Sequence, residues 1–213
     1  MNRSELKSQA KQQIKGKIGI LFLITLIVGV ISIAANVVLS SVPFGGIICS
    51  IFIAPAFTLS LIRIYLNLTQ NVKPTAGDAF SGFDDFWSAF KVHFLVGLFT
   101  FLWSLLFIVP GIIKTYSYSF ATYILAENKN KPALECIRES KEMTNGHKMD
   151  LFVLSLSFIG WILLVYVTLG IALIWVLPYM QATIANAYIS LKPTKTEIIY
   201  ESESFEGENS VEE

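Results

Sequence analysis

The sequence predicts an all-α fold, a polytopic membrane helical bundle. About six transmembrane helices in three hairpins are expected, with short interfacial amphipathic helices. Three observations carry this. Of 213 residues, 54% are hydrophobic and 13% aromatic. Only 15% are charged, against roughly a quarter in soluble domains, so charge is too sparse to cover a water-facing surface. Apolar runs close to 20 residues recur, the length that takes a helix across about 30 Å of hydrocarbon. An ordinary soluble globule, a disordered chain, a fibrous repeat and a disulfide-stapled secreted domain are excluded on the same grounds.

The elements follow in chain order. Residues 1–17 form a basic N-terminal helix in which Arg3, Lys7, Lys11 and Lys15 recur every four residues, giving one stripe. That stripe faces anionic lipid or a partner, or serves as a topology signal on a solvated face. Span 18–39 is too long for the apolar core of a signal peptide. Ser40–Gly46 reads as a turn, and span 47–66 follows with Pro55 as a tolerated kink. Phe80, Phe83, Phe90, Phe94 and Trp87 recur at helical steps. They predict either an interfacial amphipathic helix or an aromatic face packed on other helices.

Span 92–109 comes next. Pro110–Gly111 is expected to turn the chain into span 111–126, since proline removes a donor and glycine admits positive φ. Pro132 and Gly146 bracket a short surface helix at about 132–144. From 151 to 191 there is no charged side chain. A turn at Thr168–Gly170 divides this run into spans 151–168 and 171–191. Residues 192–213 hold seven acids and two lysines, predicting an acidic disordered cytoplasmic tail.

Orientation follows from the basic residues. With the N-terminus inside, six spans put 15 of the 16 Lys and Arg on the cytoplasmic side. Only Lys114 falls outside. The expected location is therefore a cell membrane, multi-pass, with both termini cytoplasmic.

Motifs for chemistry are absent. No nucleophile elbow, HExxH helix or phosphate-binding glycine loop occurs. Cys49, Cys136, His93 and His147 stand apart, so no disulfide, metal or cofactor is expected, and Asp84–Asp85 lacks a third ligand. No nucleic-acid recognition motif accompanies the basic stripe. Polar groups within or beside spans are the functional candidates: Asn36, Arg63, Lys114, Gln181 and Asn186. A faint repeat aligns residues 51–68 with 174–191, pairing Pro55 with Pro178 and Tyr65 with Tyr188.

From Leu102 onward, longer strings carry a family resemblance: LWSLLFIVPGIIKTYSYS (102–119), SKEMTNG (140–146), LSFIGW (156–161), TLGIALIW (168–175) and Pro178–Tyr179. They resemble the bacterial integral-membrane proteins grouped as domain of unknown function 975. The resemblance implies a bacterial multi-span protein and supplies no catalytic residues. A more distant similarity links these proteins to the membrane part of some glycerophosphodiester phosphodiesterases, but no phosphodiesterase domain is present here. The function expected is non-enzymatic binding of lipid or a membrane-protein partner, or an accessory role in envelope assembly. A small-molecule or lipid transporter or channel is the alternative, and a lipid-modifying enzyme is less favoured.

Overall fold

A computed structural model describes residues 2–39, 41, 45–106 and 108–192. Most of the expected tail (193–213) and much of the 40–46 turn lie outside the described residues. Among those described there are helices and no strand: α1 (Arg3–Ile14), α2 (Ile18–Leu39), α3 (Gly45–Thr69), a 3-10 turn (Ala76–Phe80), α4 (Phe86–Leu106), α5 (Ile108–Tyr118), α6 (Ala121–Glu127), α7 (Ala133–Met143), α8 (Lys148–Leu156), α9 (Ile159–Val167) and α10 (Leu173–Leu191). Four segments are long and apolar enough to cross a membrane: Ile18–Leu39, Ile51–Thr69, Phe86–Leu105 and Lys148–Val167.

The centre of the bundle is α10, packed on α3 and α1. Val176, Tyr179, Ala182, Ala185, Ala187 and Tyr188 are all buried. Small residues let the neighbouring backbones approach closely. The two helices of the sequence repeat thus lie side by side, each with a proline inside it. Tyr65 and Tyr188 are both buried, and the Tyr188 ring sits 5.5 Å from Phe120 and 5.4 Å from Tyr123.

Several expectations change. The fourth span is two short helices, α5 and α6, with a break at Ser119–Phe120. The break is held from α7. Ser140 Oγ donates to the Ser117 carbonyl (2.9 Å) and accepts from the Phe120 N–H (3.1 Å). The break persists because protein side chains satisfy the backbone groups it frees. The sixth segment, α10, is largely buried within the bundle.

The aromatic steps from Phe80 to Phe94 do not lie on one helix. Phe80 closes the 3-10 turn, and α4 begins only at Phe86. Gly82 explains the interruption. A Cβ there would stand 2.0 Å from the Ala56 carbonyl oxygen, so the chain must press onto α3 without a side chain. Phe83 then packs edge-on to Phe57 (5.0 Å), and Phe90 stacks on Phe52 (5.1 Å). The packed-face alternative describes these contacts, although Trp87 remains exposed.

Pro110–Gly111 is not the turn. Both residues sit in the first turn of α5, where the missing proline N–H would be unpaired anyway. Gly111 serves close approach instead, since its Cβ would lie 2.9 Å from Ser104 Cα on α4. Positive φ is found at Gly16, which separates α1 from α2, at Gly146 before α8, and at Leu169–Gly170 between α9 and α10.

Candidate functional site

Leu6, Ala10 and Ile14 recur every four residues on α1 and are buried. This apolar face draws α1 onto α10. A reciprocal amide pair fixes the register: Gln13 Nε2 donates to Asn186 Oδ1 (3.0 Å), and Asn186 Nδ2 donates to Gln13 Oε1 (2.8 Å). The basic stripe consequently runs along α8, α9 and α10. Arg3 pairs with Asp150 at 3.2 Å. Lys7 Nζ stands 5.2 Å from the Phe158 ring centroid, and Lys11 Nζ 5.8 Å from that of Tyr179. Partial burial and the Lys11 charge hold the Lys7 ammonium below its ordinary pKa.

Between this stripe and the α9–α10 hairpin lies a groove of about 500 Å³. Trp161, Trp175, Val176, Tyr179 and Ile18 make its apolar wall, and Lys11 and Lys15 belong to its lining. Trp175 is 63% exposed. Tryptophan beside lysine over an apolar channel matches the chemistry of a membrane–water boundary.

A second cleft, about 510 Å³, opens between α3, α4, α5–α6 and α10. Thr58, His93, Thr100, Ser119, Thr122 and Gln181 contribute polar groups to its lining. A third, about 420 Å³, is bordered by Arg63, Glu127 and Lys192. Here Arg63 donates to Asp85 Oδ2 (2.6 Å) and to the Ser81 carbonyl (2.5 Å). Lys129 approaches Asp85 at 3.5 Å. Glu127 accepts from Tyr188 Oη (2.8 Å) and Lys192 Nζ (2.6 Å). On α7, Glu139 pairs with Lys131 and raises the lysine's pKa.

The sequence candidates therefore do not converge. Asn36 lies exposed on α2, donating to the Ser32 carbonyl (2.9 Å). Arg63 is consumed by a partly buried ion pair, and Asn186 by Gln13. Gln181 reaches the second cleft. Lys114 Nζ stands over the Trp103 ring, 4.5 Å from its centroid. Sequence reading missed Trp161, Trp175, Tyr179, Gln13 and His93 as site residues. The tryptophans on either side of the Thr168–Gly170 turn were the available sign, because a hairpin brings such residues level.

No cluster of three or more metal-ligating side chains occurs among the described residues. Cys136 is buried, and desolvation pushes its thiol up to about 11.

The family model described as protein of unknown function (DUF975) matches residues 1–117 and 108–195. The chain belongs to this family. The family carries no stated activity, so membership identifies the kind of molecule without its role. No curated protein and no solved structure matches the chain.

Proposed function

We propose that the chain is a non-enzymatic lipid-binding protein of a bacterial cell membrane, with both termini in the cytoplasm. A role as accessory to another membrane protein or to envelope assembly is the context in which such binding would act. The observation that carries the reading is the Trp161–Trp175–Tyr179 groove with Lys11 and Lys15 at its edge. The occupant proposed is an anionic phospholipid. Its acyl chain would lie on the aromatic wall, and its headgroup would meet the two ammonium groups. Each basic residue near an anionic surface contributes about 1 kcal/mol, so two should favour an anionic over a zwitterionic lipid by roughly 30-fold.

Native mass spectrometry of the full chain, released from mild detergent with phosphatidylglycerol or phosphatidylcholine, tests this. Phosphatidylglycerol should stay bound preferentially. Lys11→Gln with Lys15→Gln should remove the preference, and Trp161→Ala with Trp175→Ala should remove the adduct. Equal retention of both lipids by the wild type would overturn the reading.

One observation favours a second reading, binding or passage of a small uncharged solute. The α3–α4–α10 cleft has no formally charged side chain in its lining, and the side chains of His93, Thr100, Thr122 and Gln181 make no hydrogen bond to other described residues. Solute-dependent shrinkage of proteoliposomes that is lost in Gln181→Leu would favour it.

A further inference from the structure

Three lysines far apart in the chain come together on the α5 side of the bundle. Lys114 lies on α5, Lys141 on α7 and Lys148 at the start of α8. The packing that assembles them is specific. Ser140, beside Lys141, bonds the Ser117 carbonyl and the Phe120 N–H. Thr144 Oγ also reaches the Ser117 carbonyl, at 3.4 Å. Phe152, one turn beyond Lys148, packs edge-on to Tyr116 at 5.9 Å. Both α7 and α8 are thus pinned to the 114–120 stretch, and the Lys141 and Lys148 ammonium groups both act electrostatically on that of Lys114. Lys114 is half-buried over the exposed Trp103 ring, Lys141 is exposed, and Lys148 is half-buried.

No ion pair among the described residues offsets this charge. Among the described residues the ion pairs use Arg3, Arg63, Lys129, Lys131, Arg138, His147 and Lys192, and none uses Lys114, Lys141 or Lys148. The nearest acid along α8, Asp150, is already shared by Arg3 and His147. Like charges held together without a partner destabilise one another, and an anion bound among them removes that cost. Trp103 supplies the amphipathic surface found where membrane meets water.

We propose that Lys114, Lys141 and Lys148 form a phosphate-binding cluster at the membrane surface, with Trp103 as its floor, and that its occupant is the headgroup phosphate of an anionic lipid. The cluster is separate from the Lys11–Lys15 groove and does not depend on it. It also fixes sidedness. Lys114 shares a face with Lys141 and Lys148, so it belongs on the same side of the membrane as they do, and the α4–α5 tip does not carry it across.

The test uses the full chain in phosphatidylcholine nanodiscs, with phosphatidylglycerol added to some and inorganic phosphate titrated into others. Lipid retention is read by native mass spectrometry and free phosphate by phosphorus NMR. Wild type should retain two phosphatidylglycerol molecules, one per site. The Lys114→Gln/Lys141→Gln/Lys148→Gln variant should keep only the groove lipid and bind the second at least about tenfold more weakly. Lys11→Gln/Lys15→Gln should keep only the cluster lipid, so failure of either site shows separately. Lys141→Arg/Lys148→Arg should retain binding, which separates lost charge from lost folding. Phosphate that binds the wild type but not the triple variant, with phosphatidylglycerol unaffected, would overturn the lipid as occupant and leave free phosphate as the ligand. Equal lipid retention and equal phosphate binding by wild type and triple variant would overturn the cluster altogether. Lys114→Cys, in a chain with Cys49 and Cys136 replaced by serine, should label from the cytoplasmic side, and external labelling would overturn the sidedness.

Discussion

The Ser140 hydroxyl works in two directions from a fully buried position, donating to Ser117 and accepting from Phe120. In Ser140→Ala the Phe120 N–H loses this partner, and a buried group left unpaired costs about 1–3 kcal/mol. Thermal unfolding in detergent should show that loss, and an unchanged midpoint would mean that water replaces the hydroxyl. Gly82→Ala should be worse than an ordinary surface change, because its Cβ meets the Ala56 backbone oxygen at 2.0 Å and not the end of a movable side chain. Overpacking of this kind costs about 1–3 kcal/mol. Cys136 offers a pH test. Its thiol is raised to about 11, so the reactive thiolate is scarce at pH 8 and grows only as pH climbs toward that value. In a Cys49→Ser background, N-ethylmaleimide should label the folded chain far more slowly at pH 8 than the unfolded chain. Equal rates would show that Cys136 is not enclosed.

At the scale of elements, the docking of α1 rests on one buried face and one amide pair. Three apolar side chains, one amide pair and the Lys11–Tyr179 contact hold it to α10. Gln13→Leu strands Asn186, and Asn186→Leu strands Gln13, so each single change should cost about 1–3 kcal/mol. The double change removes both polar groups and should recover most of the loss. Limited trypsinolysis at Lys15 and Lys17, beside the Gly16 joint, reads the docking directly. Cleavage should rise in each single variant and fall back in the double variant, and additive cleavage would sink the pairing. This element was half legible in sequence. The four-residue spacing of the lysines gives the helix, but Leu6, Ala10 and Ile14 on the adjacent face show that it docks. The aromatic run from Phe80 to Phe94 was misleading for a related reason. Helical spacing in sequence describes a helix only if the backbone remains helical, and Gly82 interrupts it against α3.

For the whole molecule, the membrane environment itself is testable. Ile33 on α2 is 66% exposed, as are several neighbouring apolar side chains to a similar degree. On a soluble protein an exposed Ile→Lys change is close to neutral, within about 0.5 kcal/mol. Facing hydrocarbon, a lysine near a helix centre costs about 2.5–3.5 kcal/mol on insertion scales. Ile33→Lys should therefore lower the yield of membrane-inserted chain sharply. A yield equal to wild type would mean that α2 does not face lipid.

Composition and periodicity alone determined that this is a helical chain with too little charge for water, where its longest apolar helices lie, and which family it resembles. These properties are local, because a helix needs only its own backbone bonds and a span only its own run of apolar side chains. Which apolar segments become lipid-facing and which become core was decided in three dimensions. Segments 111–126 and 171–191 look alike to hydropathy, yet one breaks under the Ser140 hydroxyl and the other is buried by α1 and α3. Lys114 shows the same division most sharply. Sequence order places it alone beyond a span, whereas the packing of α7 and α8 on α5 sets it among Lys141 and Lys148. Contacts between residues distant in the chain depend on which faces meet, and no single segment contains that information.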